Sequence, residues 1–311
     1  MDRRHFLRRS ALAGGTLLGT AGAVEAGAAS LAGPEPPPDF HLHYAPHLGM
    51  FEAHAGGDPV DQITFMAEQG FTAFEDNGMK GRSQSEQTRI ADALREHDMQ
   101  MGVFVAHSIS WGEPALVTGE EGPRQQFLDE IRASVEVADR VDATWMTVVP
   151  GARDLRLDAG YQRANLVETL REAAAILEPH DLVMVLEPLN NRHDHPNQFL
   201  THTAQAYEIC RAVDSPSCKI LYDVYHQQIT EGNLIPNADA AWEEIAYVQV
   251  GDNPGRNEPT TGEINFRNVF RHLHDKGYDG VVGMEHGVSG EGTAGETAVI
   301  EAYRSCDAFE A

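Results

Sequence analysis

Eight short apolar runs, each followed by a segment with helical spacing, constrain this chain more than any other feature. The runs fall at 40–44, 72–75, 101–106, 144–149, 182–186, 220–224, 247–250 and 281–284. Helical segments follow at 59–69, 85–96, 124–139, 161–177, 203–213, 238–245, 266–276 and 294–308. Segments of four to six largely apolar residues bounded by Gly, Pro and Asn, or alternating as Phe40-His-Leu-His-Tyr44 does, suit strands, whereas the longer amphipathic stretches suit helices. Asp58 reads as a helix cap and Gly70 as a stop. Strict alternation over 40–311 predicts one (β/α)8 TIM barrel. An open doubly wound sheet is the competitor, but no Gly-rich phosphate fingerprint follows the first run.

In such a barrel the carboxyl ends of the strands meet at one face, where chemistry is placed. Glu75, His107, Glu187, Asp223 with His226, Gln249 with Asp252, and Glu285 with His286 stand at those ends. Glu187, Asp223, Gln249 and Glu285 each follow one of the last four strands, with separations of 36, 26 and 36 residues. That spacing is close to one βα unit per step, so barrel closure brings the four side chains together. Three carboxylates and an amide oxygen are hard ligands suited to Mg²⁺ or Mn²⁺, with Co²⁺ and Zn²⁺ also admissible. Without a cation, the carboxylates raise one another's pKa. A lone acid at a strand end is more often a cap or turn former, and Glu187 before Pro188 suits an ordinary loop. Four such endings on consecutive strands are harder to attribute to chance.

The first thirty residues differ from the rest. Arg3, Arg4, Arg8 and Arg9 precede a small apolar segment from Ala11 to Ala23 and a small-residue cleavage site at 26–28. This order reads as a twin-arginine-type export signal over 1–30, giving a periplasmic or secreted protein. The alternative is retention as an anchor, for which the segment is short and Gly-rich. Residues 31–39, with Pro34, Pro36, Pro37 and Pro38, read as an extended linker.

Removing 1–30 takes away four Arg and two acids, so the formal charge of −25 becomes −25 − 2 = −27. Such a surface opposes binding to nucleic acid and, after leader cleavage, to anionic membranes. Cys210, Cys218 and Cys306 form no metal-type pair. Cys210 and Cys218 either pair in an oxidising compartment or remain buried thiols.

Several segments resemble the hydroxypyruvate isomerase group of the xylose-isomerase-like, or sugar-epimerase-like, barrels. They are Val185-Leu-Glu-Pro-Leu-Asn190, the run from Asp223 to Leu234, Val248-Gln-Val-Gly-Asp-Asn-Pro-Gly-Arg-Asn-Glu-Pro259, Gly262-Glu-Ile-Asn265 and Gly283-Met-Glu-His286. The resemblance is strongest over 181–287. It implies that Glu187, Asp223, Gln249 and Glu285 hold the metal, that Glu187 and Glu285 act as acid/base catalysts on opposite sides of a hydroxy-carbonyl compound, and that His226 and Arg256 grip substrate oxygens.

The implied activity is a metal-dependent isomerase or epimerase working through a metal-stabilised enediolate. A β-eliminating lyase on a 3-keto-glycoside would use the same site, and a noncatalytic sugar-binding barrel is the alternative of another class. Where the group follows its last Glu with an aromatic and then basic residues, this chain has His286-Gly287, which speaks against an acidic substrate. His107 and Trp111 match no family position and are expected to contact sugar. The run His193-Asp194-His195 reads as solvated loop, and His41 and His43 as packing or rim residues. A homo-oligomer is compatible with all of this.

Overall fold

The structure is a computed structural model and describes residues 40–310. The leader and linker readings therefore lie outside the described residues. Eight parallel strands follow in order: β1 (His43–Ala45), β2 (Ala73–Phe74), β3 (Gln100–Met101), β4 (Trp145–Val148), β5 (Val183–Leu186), β6 (Cys218–Asp223), β7 (Ile245–Gln249) and β8 (Val281–Gly283). Six of them form one sheet in the order β1-β8-β7-β6-β5-β4, and β2 pairs with β3. Single parallel bridges join the two sheets, His47 to Glu75 on one side, and Met101 to Ala143 and Val105 to Thr147 on the other. The ring is thereby a closed TIM barrel, as the alternation of runs predicts.

The helices among the described residues are α1 (Glu52–Ala55), α2 (Pro59–Glu68), α3 (Gln84–Glu96), α4 (Glu121–Val141), α5 (Ala159–Leu177), α6 (Thr203–Val213), α7 (Val224–Thr230), α8 (Leu234–Ala241), α9 (Phe266–Asp275) and α10 (Gly292–Asp307). Their starts are written in the chain. Asp58 caps α2, accepting from the Val60 amide ahead of Pro59, and Ser83 with Glu86 forms a capping box on α3. On α9, Phe266, Val269, Phe270 and Leu273 recur at helical spacing, and all are buried against the strands.

A separate inner cluster takes one residue from or beside most strands: Ala45, Ala73, Val103, Val185, Leu221, Tyr247 and Val281. Tyr247 crosses this interior. Its hydroxyl lies where a Cβ on Gly102 would have to sit; the third strand run, read from sequence as 101–106, is a regular ladder only over Gln100–Met101. The helix α7 is absent from the sequence reading, which assigns no element between 224 and 238. It forms because Asp223 Oδ1 accepts from the amides of Tyr225 and His226, capping a helix directly on the strand end. Cys210 and Cys218 are buried free thiols in hydrogen-bond contact.

Candidate active site

Strand register fixes the centre of the site. Asp223 and Gln249 are the last residues of β6 and β7 and pair with each other, while Gln249 also pairs with Gly283 of β8. Glu187 follows β5 by one residue and Glu285 follows β8 by two. Asp223 and Gln249 are each 1% exposed, and Glu187 is also buried.

Arg256 and His226 connect the acids. Arg256 Nη2 donates to Glu285 Oε2 at 2.8 Å and lies 3.7 Å from Asp223 Oδ2. His226 Nε2 lies 3.6 Å from Asp223 Oδ2 and 3.7 Å from Glu187 Oε1. Arg256 has a φ of 51°, a left-handed conformation unusual for a non-glycine. It is held by its own amide donating to Asp252 O and by Gly287 N donating to Arg256 O. Its guanidinium stacks on the Tyr225 ring at 4.9 Å. Glu258, the other conceivable partner for this arginine, is instead taken by the amide and hydroxyl of Ser289.

The electrostatics are dominated by crowded acids, of which Asp223 and Glu187 are buried and Glu285 is half-buried. Burial pushes Glu187 well above the usual carboxylate range, and the charges of Glu285 and Asp223 push further against the opposing pull of Arg256. Burial likewise pushes Glu285 up to about 7, with Arg256 pulling it back and Asp223 raising it.

Two buried oxygens, Asp223 Oδ2 and Gln249 Oε1, have no hydrogen-bond partner. Buried acceptors are normally satisfied. Orphaned oxygens among mutually repelling carboxylates fit a hard divalent cation held by Glu187, Asp223, Gln249 and Glu285. Atoms of Glu187, Asp223 and His226 also lie within 4.8 Å of one another.

The surroundings of His226 argue against its serving as a ligand in that trio. Asn190 Oδ1 accepts from the amides of His193 and Asp194, while its Nδ2 donates to Asp194 Oδ2 and, at 2.7 Å, to His226 Nδ1. With Nδ1 accepting, the ring proton sits on Nε2, which faces the oxygens of Asp223 and Glu187 and lies 3.5 Å from Arg256 Nη2. Burial pushes this imidazole down to about 4, so it is neutral.

The remaining expected site residues are placed as follows. Trp111 is 48% exposed and stacks on His195 at 4.9 Å, and His195 in turn lies 5.3 Å from the His226 ring. Trp111 is thus at the rim of this site. His107 is buried, its Nδ1 on Ser108 O and its Nε2 accepting from Val149 N, with its ring edge-on to Phe127. It lines a pocket of about 380 Å³ that includes none of the four proposed ligands.

The solvated reading of His193-Asp194-His195 is corrected for two of its members. Asp194 accepts from Tyr225 and Asn190, and His195 packs between two aromatic rings. The loop is drawn in by Asn190, which nothing in its local spelling singles out. His41 and His43 are exposed and hydrogen-bond to Asp307 and Thr72, the hydrogen-bonding alternative of that reading rather than burial.

Glu75, Asn77 and Asn190 are contributors that sequence reasoning did not assign. Glu75 had one signal, its position at a strand end. Asn77 donates to Glu285 Oε1 at 3.1 Å.

Comparison with known proteins agrees with this architecture. Hydroxypyruvate isomerase of Escherichia coli (strain K12) is 35% identical over 166 residues, which cover 53% of this chain and 64% of that protein. The 2-oxo-tetronate isomerase of Cupriavidus necator is 28% identical over 239 residues, 76% of this chain and 89% of that protein. The crystal structure of a protein described as AP endonuclease, family 2, from Brucella melitensis superposes with a TM-score of 0.72 at 26% identity, covering 82% of this chain and 96% of that one. The 3-keto-D-glucoside 4-epimerase of E. coli superposes with a TM-score of 0.70 at 20% identity over 85% of this chain and 100% of its own, a likeness of fold. A family profile described as xylose isomerase-like TIM barrel matches residues 63–306, and the chain belongs to that family.

Proposed function

We propose that this chain is a divalent-cation-dependent isomerase or epimerase of a small sugar or hydroxy-keto compound, with Glu187 and Glu285 as its acid/base pair. Its relatives named as isomerases support the reaction class. The observation that carries the site assignment is the pair of orphaned buried oxygens, Asp223 Oδ2 and Gln249 Oε1, between two carboxyl groups of raised pKa. Glu187, Asp223, Gln249 and Glu285 would hold Mg²⁺ or Mn²⁺. When bound, the cation supplies positive charge that eases removal of a proton next to a carbonyl.

The protein groups divide the remaining work. One of Glu187 and Glu285 takes the proton from carbon as a carboxylate, and the other returns one as a carboxylic acid. A carboxyl pKa raised by burial, to about 7 at Glu285, suits transfer in both directions. His226 Nε2–H, fixed by Asn190, donates to a substrate oxygen. Arg256 holds Glu285 in place and offers its remaining donors to the same ligand. Trp111 and His195 supply aromatic surface at the rim for a sugar face. Both ring nitrogens of His107 are bonded to backbone groups, which leaves it no polar atom free to contact sugar. The export reading of residues 1–30 belongs to the same proposal, and the N-terminal mass of protein recovered from the periplasm tests it.

Incubation of a ketose and hydroxy-keto acid panel in D₂O with Mn²⁺ or Mg²⁺, followed by NMR, tests the reaction. Deuterium next to the carbonyl in an intact carbon skeleton is the expected result. Release of an aglycone from a 3-keto-glycoside would replace this reading with elimination. Glu187→Gln and Glu285→Gln are expected to lower turnover by about 10²–10⁴-fold with folding retained. Full ligand binding without turnover in the unaltered protein would instead mark a sugar-binding barrel.

A further inference from the structure

Beside Glu285 lies a second recess, of about 290 Å³, whose walls include His47, Glu75, Asp76, Asn77 and Arg82. Its size is at the small end of ligand pockets, which run to roughly 300–1,000 Å³. Because it shares Glu285 with the proposed acid/base pair, anything reacting there extends its remaining atoms into this space.

The chemistry of the walls is one-sided. Asn77 turns its Nδ2 to Glu285 Oε1 at 3.1 Å. With Glu285 in the carboxylate form that Arg256 also binds, it accepts and cannot donate, and the amide keeps that orientation. Asn77 Oδ1 is left buried with no hydrogen-bond partner. The guanidinium in its walls is committed: Arg82 Nε donates to Asp76 Oδ2 at 2.5 Å and its Nη2 reaches Asp76 Oδ1, whereas Arg256, which keeps donors free, is not among the wall residues. The ring nitrogens of His47 face the carbonyl oxygens of Leu48 and His286. The recess therefore presents acceptors, and its guanidinium already has an anionic partner.

We infer that this recess receives a hydroxyl-bearing carbon of a neutral polyhydroxy ketone or aldehyde, with Asn77 Oδ1 accepting its O–H. A substrate carboxylate at this place would face Asn77 Oδ1 and the acids without a free cation. This deepens the isomerase reading and rests on it. Asn77 is a specificity-determining residue, acting on the part of the substrate remote from the transferred proton.

The test measures solvent deuterium exchange next to the carbonyl, with Mn²⁺ present, for neutral ketoses of three to six carbons, for hydroxypyruvate and for 2-oxo-tetronate. At least one neutral ketose is expected to exceed both acids in kcat/KM by tenfold or more. Its analogue lacking the hydroxyl farthest from the carbonyl is then compared with it in the unaltered protein and in Asn77→Ala. The substitution is expected to lower kcat/KM tenfold or more for the intact ketose, mainly through KM, and to have little effect on the deoxy analogue. Equal losses for both compounds would make Asn77 a mere support of Glu285 and overturn the inference. Exchange of either acid at a rate matching or exceeding the ketoses overturns it while leaving the isomerase reading standing. If nothing in the panel exchanges, both fall.

Discussion

Glu75 holds the side-chain amide of Gln249: Gln249 Nε2 donates to Glu75 Oε1 at 2.7 Å, while Tyr247 hydroxyl donates to Glu75 Oε2 at 2.8 Å. Two donors on opposite oxygens fix the carboxylate, and the carboxylate fixes which end of the amide faces it. Gln249 Oε1 is thereby directed away, without a partner. The carboxylate fits only because β8 has glycine at 283, where any Cβ would overlap Glu75 Oε2.

This arrangement predicts that Glu75→Ala weakens Mn²⁺ binding by about 10–100-fold, the usual cost of losing a group that orients a metal ligand. Gly283→Ala is expected to act in the same direction, because it displaces the same carboxylate. Tyr247→Phe, which leaves the Gln249 bond intact, is expected to have a smaller effect. Titration calorimetry reads all three. Unchanged affinity in Glu75→Ala would remove Gln249 from the ligand set.

The raised carboxyl pKa values make a prediction for the cation-free protein. Glu285 is pushed up to about 7 and Glu187 is raised in the same direction, so near neutrality the folded state retains protons that the unfolded chain has released. Stability then falls as pH rises through that window. Only above about pH 7.5 are ordinary imidazoles largely neutral in the unfolded chain as well, so the acids govern the profile there. The Tm of cation-free protein is expected to fall as pH rises above about 7.5. Mn²⁺ should raise Tm more as pH rises in that range, where fewer protons compete with it. A Tm that rises with pH there without cation would contradict the crowded-acid picture.

Much of this architecture was legible because period and punctuation are local properties. Asp58-Pro59, the Ser83/Glu86 box and the apolar runs name their elements without reference to the rest of the chain. The three acids and one amide at the ends of β5 to β8 could be read because a barrel converts strand position into spatial position. Asn190, Asn77 and the amide-fixing role of Glu75 could not be read in the same way. Their partners, His226, Glu285 and Gln249, are 36, 208 and 174 residues away, and only register brings each pair together. The helix α7 was hidden for a related reason, since a cap that is also the last residue of a strand breaks the usual spacing between elements.

His107 offers a test of stability apart from the acids. Burial pushes its imidazole down to about 4, and both ring nitrogens are used by backbone groups. The unfolded chain takes up a proton at the ordinary value of 6.5 whereas the folded state does not, so stability is lost as pH falls from there toward 4. Each pH unit of that gap is worth about 1.4 kcal/mol, making the whole on the order of 3 kcal/mol. In His107→Gln this contribution is absent. Urea unfolding is expected to show the unaltered protein losing stability relative to the variant on acidification over this range, and parallel profiles would refute the neutral, buried assignment.

The last prediction separates two ways of reading the ligand set. His226 lies close enough to Glu187 and Asp223 to complete a trio with them, yet its Nδ1 accepts from Asn190 and its Nε2 therefore carries the proton. A protonated nitrogen has no lone pair for a cation, whereas Gln249 Oε1 is a buried acceptor without a partner. Gln249→Leu is accordingly expected to weaken Mn²⁺ binding by tenfold or more, an order-of-magnitude effect of losing a ligand oxygen. His226→Gln, whose amide can donate from nearly the same place, is expected to keep Mn²⁺ affinity within about threefold while lowering kcat, as for other groups that position or polarise a reacting oxygen. Asn190→Leu frees the tautomer of His226 and should lower kcat in the same way. If His226→Gln instead loses cation affinity by orders of magnitude and Gln249→Leu does not, the imidazole is the ligand, and the proton inferred on its Nε2 must leave when the cation binds.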